Sequence, residues 1–256
     1  MKKILLTGSS GKLGQTIKNS GLFPPLLTPS HSTLDLTKPL TLETYFKENE
    51  FDAIIHCAAL ARMAECETNP VQAIHTNLIG TGHLVKETLL RESGSSSTIR
   101  FIHISTDGVY PGTRGRYSEK DGVLPYNRYG WTKLGAECAV NLLSNFCIIR
   151  TNFFDPTNIR FSQSAVDIYN SKISLDELVK AIKTLLESDF VGTLNIGSER
   201  ESDYTRYKKF KPEITSCRQE EIFKTTPVKI ASDSSLDISL WETMSRRNSR
   251  SVTPHQ

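Results

Sequence analysis

Tyr129 and Lys133 stand four positions apart in the segment YGWTK, and on a helix that spacing turns both side chains to one face. An unperturbed phenol, with a pKa of about 10, is a poor acid–base catalyst at neutral pH, and a cation one helical turn away favours its ionised form. The pair therefore predicts proton transfer. A Tyr and a Lys at this spacing also occur by chance, as a buried aromatic and a solvated charge; what gives this pair meaning is its place in the chain. Upstream, Ser105, Thr106 and Asp107 close the apolar run that begins at Arg100, and hydroxyls at the carboxyl end of a doubly wound sheet face its ligand crevice.

A second constellation lies near the amino end. Gly8, Gly11 and Gly14 recur every third residue in ILLTGSSGKLGQTI, directly after a first apolar run and at the mouth of a helical pattern. Gly8 permits a sharp strand-to-helix turn, Gly11 lets backbone approach a pyrophosphate, and Gly14 lets the helix pack close to the sheet. Unpaired amides at the helix start then attract the phosphates. A triphosphate-binding loop would follow its last glycine with Lys-Ser or Lys-Thr, whereas Gly11 is followed by Lys12 and Leu13. A carboxylate that grips a ribose 2′-hydroxyl is expected at the end of the second strand. There the sequence reads Pro29, Ser30, His31 and Ser32, with no acid before Asp35. Ser30 and His31 can donate to a 2′-phosphate, so the expected cofactor is NADP(H), or NADP(H) and NAD(H) alike.

The elements that must position these groups alternate between strand and helix. Short apolar runs at Lys3–Thr7, Leu26–Thr28, Ala53–His56, Arg100–Ser105 and Cys147–Arg150 read as buried parallel strands. Helical patterns occupy Lys12–Asn19, Leu40–Glu48, Pro70–Arg91 and Tyr129–Leu143. This order predicts an α/β fold with a Rossmann-type, doubly wound parallel sheet. Residues 1–150 form its dinucleotide-binding domain, and 151–244 a small, shortened, irregular substrate-binding annex. Within the annex ISLDELVKAIKTLLES is a clear amphipathic helix and Gly192–Ile196 a strand that can return to the main sheet. Residues 245–256, polar and basic, are expected to be disordered.

Of 256 residues, 38% are apolar and 23% charged, an ordinary globular composition. The formal charge is +3, but the last twelve residues hold three Arg and no acid, leaving 28 basic against 28 acidic side chains elsewhere. Such a neutral body carries no field for nucleic acid or an anionic membrane. Five cysteines without a C-x-x-C pair read as reduced thiols, and six scattered histidines show no metal-ligand spacing. The apolar run at the amino end is too short for an export signal, and no stretch approaches the ~20 apolar residues of a membrane span. A cytoplasmic location is expected.

The segments TGSSGKLG, DLT, HCAAL, STDGVYPG, PYNRYGWTK and IIRTNFF together resemble the extended short-chain dehydrogenase/reductase superfamily, in particular its dTDP-4-dehydrorhamnose reductase-like branch. The likeness covers residues 1–150 and, more loosely, 165–200. It implies that Thr106, Tyr129 and Lys133 form a catalytic triad. It also implies that Gly8, Ser10, Gly11, Lys12 and Leu13 meet the pyrophosphate, Asp35 and Leu36 the adenine, Ala58, Ala59 and Leu60 the ribose region, and Ile104 the nicotinamide. The implied reaction is reduction of a keto group on a nucleotide-linked deoxysugar: hydride comes from the nicotinamide, Tyr129 delivers the proton, Thr106 holds the carbonyl oxygen, and Lys133 binds the ribose beside Tyr129. A homodimer through the helices Pro70–Arg91 and Tyr129–Leu143 is implied likewise.

Two features separate this chain from sister enzymes. Sugar-nucleotide dehydratases carry Thr-Asp-Glu where this chain has Thr106, Asp107 and Gly108, which argues against water elimination. Epimerase-reductases add a Cys/His pair beside the sugar, but His56 and Cys57 lie at the end of the third strand instead. The stretch from Phe153 to Asp167 is also shorter than in the reductases. Simple 4-keto reduction fits best; a non-catalytic NADP-binding regulatory subunit and another nucleotide-sugar epimerase are the alternatives. Asn77 is either a helix-face packing residue or part of a proton relay, and Arg62 and Met63 are either substrate contacts or a solvated loop.

Overall fold

The computed structural model describes residues 3–95, 97–226 and 228–250. In the first half β1 (Ile4–Thr7), α1 (Lys12–Asn19), β2 (Leu26–Leu27), α2 (Pro39–Glu48) and β3 (Ala53–His56) follow one another. Then come α3 (Met63–Thr68), α4 (Pro70–Ala73), a π-helical turn at Ile74–Ile79, α5 (Gly80–Ser93), β4 (Arg100–Thr106), α6 (Arg128–Val140) and β5 (Phe146–Thr151). The second half holds β6 (Phe153–Phe154), β7 (Gln163–Ala165), β8 (Tyr169–Asn170), β9 (Ile173–Ser174), α7 (Leu175–Leu186) and β10 (Gly192–Ile196). It ends with β11 (Glu201–Ser202), α8 (Asp203–Lys208), β12 (Thr215–Cys217), α9 (Gln219–Thr225) and α10 (Ser239–Arg250).

Six strands make one parallel sheet in the order β10-β5-β4-β3-β1-β2. β1, β3, β4 and β5 are buried along their whole length, as strands covered on both faces must be. Because successive side chains point to opposite faces, each strand feeds two cores. Ile4, Leu6, Ile55, Ile102 and Ile149 pack against α1 and α7, whereas Leu5, Ile54, Phe101 and Ile148 pack with side chains of α2, α5 and α6. Chain order runs outward from β1 to β2, then crosses back to β3 on the other side of β1. That reversal is the switch point above which doubly wound sheets open a crevice.

The second half contributes to this core as well as to an annex. α7 begins with a capping box, Ser174 accepting from the Glu177 amide while the Glu177 carboxylate takes the Ser174 amide. Its buried face, Leu178, Val179, Ile182 and Leu185, joins the first core. Truncating Leu178 to Ala would cost ~2–5 kcal/mol. β10 pairs in parallel with β5. Outside the sheet, three two-stranded pairs, β6–β9, β7–β12 and β8–β11, order a region whose sequence lacks periodicity; two- and three-residue strands are too short to print a pattern.

Two elements differ from expectation. Helix α10 runs from Ser239 through Ser245 to Arg250, where the polar composition suggests a disordered end. Trp241 and Met244, one turn apart, dock on the first core and hold this helix in place, and residues 251–256 lie outside the described residues. The helix expected over Pro70–Arg91 is interrupted by the π turn, in which the Gly80 amide donates to the carbonyl of His75 five residues back. No described helix is long and apolar enough to cross a membrane.

Candidate active site

A crevice of about 700 Å³ opens over the carboxyl ends of β1, β3, β4 and β5, within the range of ligand-holding clefts. The glycine turn forms one wall. Gly8 has φ +70° and stands against the loop after β3, where a Cβ would lie 2.5 Å from the Ala58 amide nitrogen. Both the dihedral and the contact demand glycine. Gly11 caps α1 without a side-chain bond, and the first turn holds no acid, so its amides are free to meet an anion. A Cβ at Gly11 would approach only the Gly8 carbonyl oxygen, at 3.4 Å, so the space above it is open. Ser10, Lys12 and Leu13 complete this wall. The donors, the open cradle and the missing acids fit a dinucleotide pyrophosphate.

The opposite wall is set by the meeting of β4 with α6. Thr106 ends β4, and its Oγ1 accepts from the Gly108 amide at 3.0 Å, capping a 3₁₀ turn over Asp107–Val109. The same hydroxyl donates to Asp107 Oδ1 at 3.1 Å. Asp107 is buried, and its Oδ2 accepts from Asn152 Nδ2 at 2.9 Å and from Ser234 Oγ at 2.7 Å. Burial raises its pKa, opposed by these three donors. α6 starts at Asn127, whose side chain accepts from the Gly130 amide at 2.8 Å. A Cβ on Gly130 would lie 2.3 Å from the Gly108 carbonyl oxygen, so a glycine in YGWTK is what lets the first turn of α6 touch the end of β4.

That contact brings Tyr129 and Lys133 to the crevice beside Thr106, with Ile104 in the floor. The Tyr129 hydroxyl makes no hydrogen bond among the described residues, and burial, with the nearby Asp107 and Cys66, pushes the phenol well above its usual pKa. In this structure burial therefore outweighs the ionising effect expected of Lys133. The phenol is held neutral, which is the form a proton donor needs. Lys133 is 2% exposed, and burial lowers its ammonium to about 8 against the opposing pull of Glu137.

Asn77 sits on the π turn and is 1% exposed. It takes the Leu60 amide at 2.7 Å and donates to the Leu60 carbonyl at 3.1 Å and to Thr132 Oγ1 at 2.9 Å. Every polar atom of its amide is spent on clamping the crevice loop to α6, which favours the packing reading over a relay. Ala59, Leu60, Arg62 and Met63 line the crevice, as do Tyr126, Asn152 and Phe153. Ala58 lies beneath Gly8 instead.

Besides Ala58, four residues expected at the cofactor do not line this crevice. Ser30 shares its hydroxyl with Ser32 and Thr33 in a local turn, and the exposed His31 ring lies 3.6 Å from Asp35. Asp35 is buried, yet the Thr37 hydroxyl and amide outweigh that burial and hold its carboxyl below the usual range. Leu36 packs into the second core. His103, Gly130, Asn152 and Ser234 join the site without being among the residues expected there from the sequence. Gly130 was legible as a glycine inside the reacting helix, but the other three depend on contacts across 30 residues or more. All five cysteines are free.

Residues 1–164 match the family described as the RmlD substrate binding domain. The chain belongs to that family. Its relatives include dTDP-4-keto-6-deoxy-D-glucose reductase of Streptomyces niveus, 33% identical over 139 residues, which are 53% of this chain and 46% of that protein. Rat methionine adenosyltransferase 2 subunit beta is 29% identical over 148 residues, 54% of this chain and 42% of that protein. The matches thus span about half the length of these curated relatives. Among solved structures, dTDP-4-dehydrorhamnose reductase of Bacillus anthracis in complex with NADP superposes with a TM-score of 0.85 at 22% identity, over 95% of this chain and 93% of that one. A hypothetical dTDP-4-dehydrorhamnose reductase of Sulfolobus tokodaii gives 0.82 at 28% identity, over 95% and 94%. The family chain thus has the α/β fold with a parallel central sheet expected from its sequence.

Proposed function

We propose that this chain is an NADP(H)-dependent reductase of a 4-keto group on a nucleotide-linked deoxysugar, acting in nucleotide-sugar biosynthesis in the cytoplasm. The observation that carries the proposal is the shared crevice: Thr106, Tyr129 and Lys133 line the same space as the glycine turn at the start of α1. The named reductases among its relatives support the substrate class. When bound, the cofactor supplies a hydride. Gly8, Ser10, Gly11, Lys12 and Leu13 hold its pyrophosphate, and Lys133 its ribose. Tyr129 gives its phenolic proton to the carbonyl oxygen, and the Lys133 ammonium stabilises the phenolate left behind. Thr106 has one hydroxyl proton, which now points to Asp107; it must turn from that carboxylate to donate to the substrate. Met63, Tyr126 and Phe153 offer apolar surface to the sugar nucleotide.

Preference for NADP(H) is supported by Asp35, whose carboxylate is committed to Thr37 and, at 3.2 Å, Lys38, while Ser30 and His31 stay exposed at the end of β2. A homodimer through α5 and α6 belongs to the same reading, supported by the exposed Trp131 on α6 and Leu142 in the turn just after it. The likeness to methionine adenosyltransferase 2 subunit beta favours a second reading, a regulatory subunit that binds the dinucleotide without turnover. Oxidation of NADPH and of NADH with a panel of dTDP-, UDP- and GDP-4-keto-6-deoxysugars separates the two. Turnover with one of them is expected; tight cofactor binding with no turnover on any would favour the regulatory reading.

A further inference from the structure

His103 and Lys133 face each other in the interior between β4 and α6. The lysine Nζ lies 3.2 Å from the imidazole Nε2, and the two residues are 0% and 2% exposed. An ammonium offers only donors, so Nε2 is the acceptor and the ring proton resides on Nδ1, which has no partner among the described residues. The ring lies 5.2 Å from that of His56 on β3. His56 is itself fixed: Thr81 spends its hydroxyl proton on the Asn77 carbonyl at 2.7 Å, so His56 Nε2 donates to Thr81 at 2.9 Å and Nδ1 accepts from Thr7 at 2.7 Å.

We propose that His103 is a positioning residue for Lys133: its imidazole takes one N–H of the ammonium from inside the fold and leaves the other two for the crevice. This deepens the reductase reading and rests on it. A neutral acceptor anchors the ammonium without cancelling its charge, which a carboxylate would do. The buried carboxylate that acts on the ammonium, Glu137, is one turn further along α6 and is already held by Arg150 at 2.7 Å. The titratable groups facing Lys133 are Tyr129 and Glu137 on α6, His103 on β4, and His56 and Cys57 at the end of β3. Burial and the lysine charge keep both imidazoles neutral, His56 down to about 3 and His103 well below its usual value. Burial pushes the Cys57 thiol up to about 12. Of this group Lys133 is the member that changes charge in the weakly alkaline range.

The test follows Lys133 directly, by a ¹³C NMR pH titration of lysine-labelled protein with the signal assigned through Lys133→Arg, alongside turnover of a 4-keto sugar nucleotide against pH. In His103→Leu the ammonium loses its acceptor, and its titration is expected to move down by roughly one pH unit. The alkaline limb of turnover should follow, a loss of roughly fivefold at pH 8. His103→Gln, whose amide oxygen can accept, should bring both back toward the parent. Should His103→Leu fail to fold, His103→Met supplies the same volume without a strong acceptor. An unmoved Lys133 titration in the folded variant overturns the proposal, whatever happens to turnover. A moved titration in a protein that reduces no 4-keto sugar nucleotide would leave the pairing standing and remove the reductase reading.

Discussion

A methyl carbon on Gly14 would lie 2.2 Å from the carbonyl oxygen of Gly8, so α1 crosses the turn that precedes it at a distance only glycine allows. A methyl carbon on Gly11, between them, would meet that same oxygen at 3.4 Å, an ordinary contact. The three glycines therefore do different work. Gly14→Ala should lower stability by ~1–3 kcal/mol, as overpacking does, and urea denaturation would show it. Gly11→Ala should keep the unfolding midpoint while NADPH affinity, followed by nucleotide fluorescence, falls at least tenfold. Equal stability losses at both positions would contradict a ligand role for Gly11.

Tyr129→Phe removes the proton donor while leaving the aromatic ring in place. Turnover should fall by roughly 10²–10⁴-fold, with cofactor affinity little changed, because no hydrogen bond of the described chain depends on that hydroxyl. Steady-state rates together with cofactor titration check both halves of this expectation.

Lys133 should make activity and stability respond to pH in opposite senses. Its folded pKa of about 8 lies below its ordinary value of 10.5. Turnover should therefore decline as pH rises through 8, as the cation beside Tyr129 is lost. Between the folded and unfolded values the unfolded chain binds the extra proton, so stability rises with pH across that window, by on the order of 3 kcal/mol for this group alone. Chemical denaturation of the parent and of Lys133→Met at pH 7.5 and 10 would reveal it as a rise present in the first and missing in the second.

Glu137 and Arg150 form a buried pair, the guanidinium donating at 2.7 and 3.1 Å to the two carboxylate oxygens and at 2.9 Å to the Tyr110 hydroxyl. Removing one partner leaves the other charged and dry, so Glu137→Gln should cost ~3–5 kcal/mol. Replacing both by Met should cost less than either single change. Denaturation midpoints of the three variants decide it, and additive losses would show that the pair is not coupled.

The Rossmann-type sheet was legible because its signals are local. An apolar run such as AIIH at 53–56 reads as a strand buried on both faces, and GSSGKLG reads as a turn into a helix, whatever surrounds them. β6 through β9 were illegible for the opposite reason: pairs of two or three residues draw their order from partners far along the chain, as β7 does from β12. The end of the chain misled for a related cause, since its polarity hides the one apolar edge, Trp241 and Met244, by which α10 docks.

By itself the sequence determined which chemical groups exist and which neighbours share a helix face, because spacing alone puts Tyr129 one turn from Lys133. Only the tertiary structure decided what those groups feel. The contact of Gly130 with Gly108, the neutral His103 under the ammonium, the amide of Asn77 spent on Leu60, and the withdrawal of Asp35 into its own loop all join residues distant in sequence or set by local packing. Burial and hydrogen-bond partners are properties of that packing, and they set the charge of a lysine or a phenol more strongly than its residue type does.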